Sequence, residues 1–124
     1  MMPKHNYTCG IVENEELAIS LLQRYIGRLN FLTIKWVKPS VPTVLAGDCE
    51  EVDIIFLDLT DTVNTVNSKI DSTISNYGNV ILTTAHGLDY VGSLDIKYQA
   101  LLNKPFSYKI FESVTNEVIS NIKN

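Results

Sequence analysis

Basic charge, cysteine and long apolar runs are all scarce in this chain of 124 residues. Lysine and arginine together number 10 against 14 acids, a formal net charge of −4. Phosphate backbones are held by a basic face, so the domain is not expected to bind DNA or RNA directly. The two cysteines, Cys9 and Cys49, are too few for a disulfide scaffold and do not have the CxxC spacing of a zinc site. Cys9 lies in an apolar segment and reads as a small buried hydrophobe rather than a reactive thiol. No run approaches the length that spans a bilayer. The opening MMPKHNYTCGIVENEE has only a short apolar stretch followed at once by acids, which is not the pattern of a signal peptide. Internal repeats, linkers and low-complexity stretches are absent too. A soluble, cytoplasmic single domain over residues 1–124 is the expectation.

What is there suffices for one core: 45% of residues are hydrophobic and 19% charged. Tyr7–Val12 reads as a strand. Glu15–Leu29 reads as a helix, with Leu17, Leu21, Leu22, Tyr25, Ile26 and Leu29 at helical spacing and Asn14 as its N-cap. Thr33–Val37 is a second strand, Pro39 and Pro42 mark a loop, and Thr43–Cys49 suggests a short helix. Asp53–Asp58 reads as the third strand: Ile54 to Leu57 are continuously apolar, as in a strand buried on both faces, and the run ends on a carboxylate. Val63, Val66, Ile70 and Ile74 predict a weak helix over Thr62–Ser75, Asn79–Thr84 a fourth strand and Gly87–Lys97 a further helix containing Gly92. Gln99–Asn103 is a short fifth strand. Ser107–Ile122 is a closing helix with Ile110, Val114, Val118 and Ile122 inward. This alternation predicts a parallel sheet with helices on both faces, whose ligands bind beyond the carboxyl ends of the strands.

At those ends stand Glu13 and Asn14 after the first strand, Asp58 after the third, Thr83 and Thr84 after the fourth, and Lys104-Pro105 after the fifth. Each has an ordinary explanation taken alone: a strand-end acid, a helix cap and first turn, β-propensity, a solvated lysine. Together they bring oxygen ligands suited to a hard cation such as Mg²⁺, a carboxylate able to act as a nucleophile towards phosphorus, and an ammonium and hydroxyls able to bind phosphoryl oxygens. His86 reads as a polar loop residue and Trp36 and Tyr7 as packing. The cluster Leu88, Tyr90, Val91 and Leu94 offers more apolar surface than one small core face needs, so a partner-binding face is its alternative reading.

The motifs IVENEELA, IIFLDLT, ILTTAH and LLNKPF, in that order and nearly spanning the chain, resemble those of response-regulator receiver domains of two-component signalling (CheY-like), most closely receivers joined to LytTR-type DNA-binding domains. The resemblance implies a doubly wound, flavodoxin-like three-layer sandwich of five parallel strands in the order 2-1-3-4-5. It implies Asp58 as the phosphoacceptor, with Mg²⁺ held by Glu13, Asn14, Asp58 and the backbone carbonyl of Thr60. Thr84 would be the switch hydroxyl and Lys104 the lysine that pairs with the phosphoryl group, before a cis bond to Pro105. A sensor histidine kinase would donate the phosphoryl group. The fourth strand, the helix after it and the fifth strand would form the switching face, and a homodimer is the simplest assembly. The output module is not among these residues, so the chain is expected to be a single-domain regulator or the input part of a longer protein.

The sequence departs from that pattern in places. Asn14 replaces an acid, which predicts weaker metal affinity. Leu101 stands where a switch aromatic belongs, Lys97 where a glycine does, and the loop after Asp58 lacks its Met-Pro. These favour an alternative, a phosphate-independent pseudo-receiver acting as an interaction module. A Mg²⁺-dependent phosphatase using Asp58 would need a second acid where Thr60 stands. A flavodoxin would need a Ser, Thr and Gly-rich loop where ENEE stands.

Overall fold

The computed structural model describes residues 6–59, 72–85 and 97–122. Five strands, β1 (Tyr7–Val12), β2 (Leu32–Lys38), β3 (Ile54–Asp58), β4 (Asn79–Thr84) and β5 (Ala100–Asn103), form one sheet in the order β2-β1-β3-β4-β5. Every neighbouring pair is parallel. The helices are α1 (Glu16–Leu29), α2 (Val41–Ala46) and α3 (Tyr108–Ile122), with a 3₁₀ turn at Ser72–Asn76. The predicted helix over Thr62–Ser75 lies outside the described residues up to residue 71, and its end falls in that turn. Gly87–Lys97 also lies outside them except for Lys97, which is exposed and not helical. His86 and the Leu88, Tyr90, Val91 and Leu94 cluster are likewise outside. Among the described residues no helix is long and apolar enough to cross a membrane.

Alternation along the strands divides the core in two. Cys9 and Ile11 of β1, Ile54 and Phe56 of β3, Ile81 of β4 and Leu102 of β5 pack with Leu22 and Ile26 of α1 and Phe111 and Val118 of α3. Phe56 and Phe111 stack at 5.5 Å between centroids. The opposite residues, Ile55, Leu57, Val80 and Leu82, pack with Trp36, Val44 of α2 and Ile74. The second layer presses the Trp36 indole onto β1 at Gly10, where a Cβ would lie 2.4 Å from the ring. The β1–β2 register shifts between Cys9 and Gly10, and the indole N–H donates to the Glu50 carbonyl at 3.0 Å.

Four sequence expectations are corrected here. The N-cap of α1 is Glu15, in extended geometry and without a side-chain cap hydrogen bond, rather than Asn14. Leu17 is 80% exposed and Ile110 53% exposed. Each lies out of phase with the buried arc of its helix, set by Leu22, Ile26 and Leu29 in α1 and by Phe111, Thr115 and Val118 in α3. The short helix α2 begins at Val41, because Pro42 suits a first helical turn, where no backbone N–H is missed.

Candidate functional site

The strand alternation that builds the α1–α3 layer also builds the site. Two residues beyond Ile11, Phe56, Ile81 and Leu102, each buried against that layer, come Glu13, Asp58, Thr83 and Lys104. Period two projects all four to the same face, at the carboxyl edge of the sheet. Asp58 is in register with Thr83. The peptide bond between Lys104 and Pro105 is cis, as the resemblance implied.

Lys104 Nζ donates to Glu13 Oε1 and to Asp58 Oδ1, both at 2.9 Å. The two carboxylates are almost sealed from solvent, at 2% side-chain exposure, while the ammonium keeps 23%. The other oxygen of Glu13, Oε2, accepts from the backbone N–H groups of Asn14 and Glu15, each at 3.2 Å. Glu13 therefore spans the start of α1 and the lysine. Burial pushes its pKa up, and the charge of Asp58 adds to this, against the lowering by Lys104. Burial alone would lower Lys104, but the hydrogen bonds and charges of Asp58 and Glu13 together outweigh it, and its pKa stands above the ordinary 10.5.

Of the predicted site residues, Glu13, Asp58 and Lys104 are in direct contact. Thr84 ends β4 fully buried, and its carbonyl accepts from the Lys104 N–H at 2.7 Å. Its place in the alternation puts it with Leu82, in the layer that also packs Leu101, rather than with Asp58. Asn14 is exposed at the start of α1. Thr60 lies outside the described residues. Thr83 was named with Thr84 at this edge, but the switch role went to Thr84 alone. The available signal was that Asp58 and Thr83 are each two residues beyond a core residue of the same face.

The oxygen donors gathered here are the carboxylates of Glu13 and Asp58, a type that suits a hard cation. Among the described residues no group of three or more His, Cys, Asp and Glu gathers closely enough to hold a metal. Glu13 and Asp58 are the two carboxylates that a Mg²⁺ keeping most of its waters would take.

No protein-family model matches the sequence, and no curated protein matches it. Solved structures do match in fold. A response regulator from Thermotoga maritima superposes with a TM-score of 0.72 at 14% identity, covering 93% of this chain and 98% of its own. The response regulatory domain of protein mrkE from Klebsiella pneumoniae gives 0.73 at 20% identity, over 92% and 96%. A CheY-like response regulator from Mesorhizobium loti gives 0.72 at 12%, over 91% and 98%. The fold of this chain is that of the response-regulator receiver domains.

Proposed function

We propose that this chain is a phosphoacceptor receiver domain that takes a phosphoryl group on Asp58 from a phosphohistidine of a sensor histidine kinase. The observation that carries the reading is the lysine ammonium held 2.9 Å from both buried carboxylates at the carboxyl edge of the sheet. An Asp58 oxygen would bond to phosphorus as the phosphorus–nitrogen bond of the donor breaks, with the histidine nitrogen as leaving group. Lys104 would move from a carboxylate oxygen to the added phosphoryl oxygens and neutralise them. Glu13 and Asp58, with the side-chain oxygen of Asn14, would hold Mg²⁺. When bound, the ion supplies positive charge that offsets repulsion between the acids and the incoming group. The domain is read as a cytoplasmic signalling module rather than an enzyme.

The carbonyl of Thr84 already bonds the Lys104 N–H, so a displaced Lys104 pulls on the ends of β4 and β5. That pull on the Thr84 backbone would shift a two-state equilibrium at that edge and favour a twofold dimer. The second reading, a phosphate-independent interaction module, is favoured by two observations: exposed Asn14 stands where an acid belongs, and half-buried Leu101 stands where an aromatic does. Intact-mass measurement after incubation with acetyl phosphate and Mg²⁺ separates the two. The wild type gains one phosphoryl group and Asp58→Ala gains none. A wild type of unchanged mass overturns the phosphoacceptor reading and leaves the interaction module.

A further inference from the structure

We propose that Thr83 supplies the hydroxyl that binds the phosphoryl group on Asp58, a role that rests on the phosphoacceptor reading and that the sequence resemblance gave to Thr84. Asp58 and Thr83 are partners in the β3–β4 register, on strands about 4.8 Å apart. The Thr83 carbonyl accepts from the Leu59 N–H at 3.0 Å, which holds that register to the strand ends. In a parallel pair, residues in register put their side chains on the same face. Thr83 also lines the same cleft as Glu13 and Lys104, a space of about 390 Å³ between the edge of the sheet and α1. Thr84 is one residue further on, so alternation sends its side chain to the opposite layer, with Leu82.

Packing alone does not explain a threonine at this place. Thr83 is 2% exposed, and Ile81, two residues before it on the same face, is fully buried. Valine would fill the position with the same branched shape and the same preference for a strand. The Thr83 hydroxyl takes part in no hydrogen bond among the described residues, so burying it has a desolvation cost and no return. A phosphoryl oxygen on Asp58 gives it an acceptor. Donors for that group are few: Lys104 is the ammonium of the site, and the amides of Asn14 and Glu15 are taken by Glu13 Oε2. A hydroxyl already on the face of Asp58 donates with little reorganisation when the group arrives.

The test is titration of the whole chain with beryllofluoride, a phosphoryl mimic, in the presence of Mg²⁺, read from the amide spectrum. Thr83→Val removes the hydroxyl and keeps the shape, and its own spectrum reports whether it is folded. It should bind beryllofluoride about tenfold more weakly than the wild type, the scale of one hydrogen bond to a charged group. Thr83→Ser and Thr83→Ala form a second comparison, differing from each other by the hydroxyl alone. The serine variant should bind about tenfold more tightly than the alanine variant. Equal affinities in the wild type and Thr83→Val, or in the serine and alanine variants, would overturn the proposal and leave Asp58 a phosphoacceptor. A wild type that binds no beryllofluoride even at high Mg²⁺ would overturn the phosphoacceptor reading and this role with it.

Discussion

Glu13 is buried with its carboxylate facing a second acid across one lysine, and that arrangement has a pH signature. Its folded pKa lies above the ordinary 4.5 because burial, then Asp58, disfavours the charged form. A raised folded pKa contributes stability that is full below the unfolded value and lost as pH rises through the folded one. The wild type should therefore lose stability relative to Glu13→Gln as pH climbs from about 4.5 towards neutrality. Thermal unfolding of both proteins across that range checks it, and a wild type that gains on the variant contradicts it. The raised pKa of Lys104 acts in the alkaline range, its stabilisation being lost only as pH rises beyond 10.5. Gly10 makes a second prediction at this scale. A Cβ there meets three Trp36 ring atoms at 2.4 to 2.5 Å, so Gly10→Ala should cost about 1–3 kcal/mol, the range for overpacking. Denaturant unfolding measures the loss, and Gly10→Ala combined with Trp36→Leu should recover part of it. Cys9 was legible as a buried hydrophobe: it is fully buried and its thiol is pushed up to about 12 by burial.

At the scale of elements, β1 and β4 were legible to the residue, since apolar β-formers bounded by polar residues leave little choice. The predicted third strand began one residue early: Asp53 stands just before β3 and ties it to β1. Its Oδ2 accepts from the Thr8 N–H at 2.8 Å, and its own N–H donates to the Thr8 carbonyl at 3.0 Å. That tie crosses two strands, and no local pattern records it. The face of α3 was misread in part: Ile110 was placed inward, and Phe111, the fully buried residue that stacks on Phe56, was not singled out. Which of two adjacent apolar residues faces the sheet depends on the approach angle of the helix, a tertiary quantity. The start of α1 was misread for a similar reason. The amides just before it, of Asn14 and Glu15, are reached by Glu13, whose orientation Lys104 fixes from the other end of the chain. Glu15 occupies the N-cap without capping, and glutamate is not among the residues favoured there. Glu15→Asp places a shorter carboxylate within reach of the next turn and should stabilise the protein by about 0.5–1 kcal/mol. An unchanged or lower melting temperature contradicts this.

For the molecule as a whole, one rule explains both the core and the site. A parallel sheet buried on both faces carries two apolar layers. The layer beneath α1 and α3 ends at the carboxyl edge of the sheet in Glu13, Asp58, Thr83 and Lys104. The parallel sheet and the gathering of Glu13, Asp58 and Lys104 at its edge were therefore readable from alternation, and the order of the strands from the resemblance that the motifs carry. Thr83 was named at that edge, but its pairing with Asp58 was not readable, because register between β3 and β4 decides it. The central claim is that this edge is a phosphoryl pocket organised around Asp58. The most direct measurement is the amide spectrum of the wild type and Asp58→Ala during titration with beryllofluoride and Mg²⁺. The account predicts Mg²⁺-dependent shifts at Asp58, Thr84 and Lys104 in the wild type that vanish in the variant. A wild-type spectrum that stays unmoved even at high Mg²⁺ would contradict it, and would make Asn14 a disabling substitution in a domain that signals without phosphate.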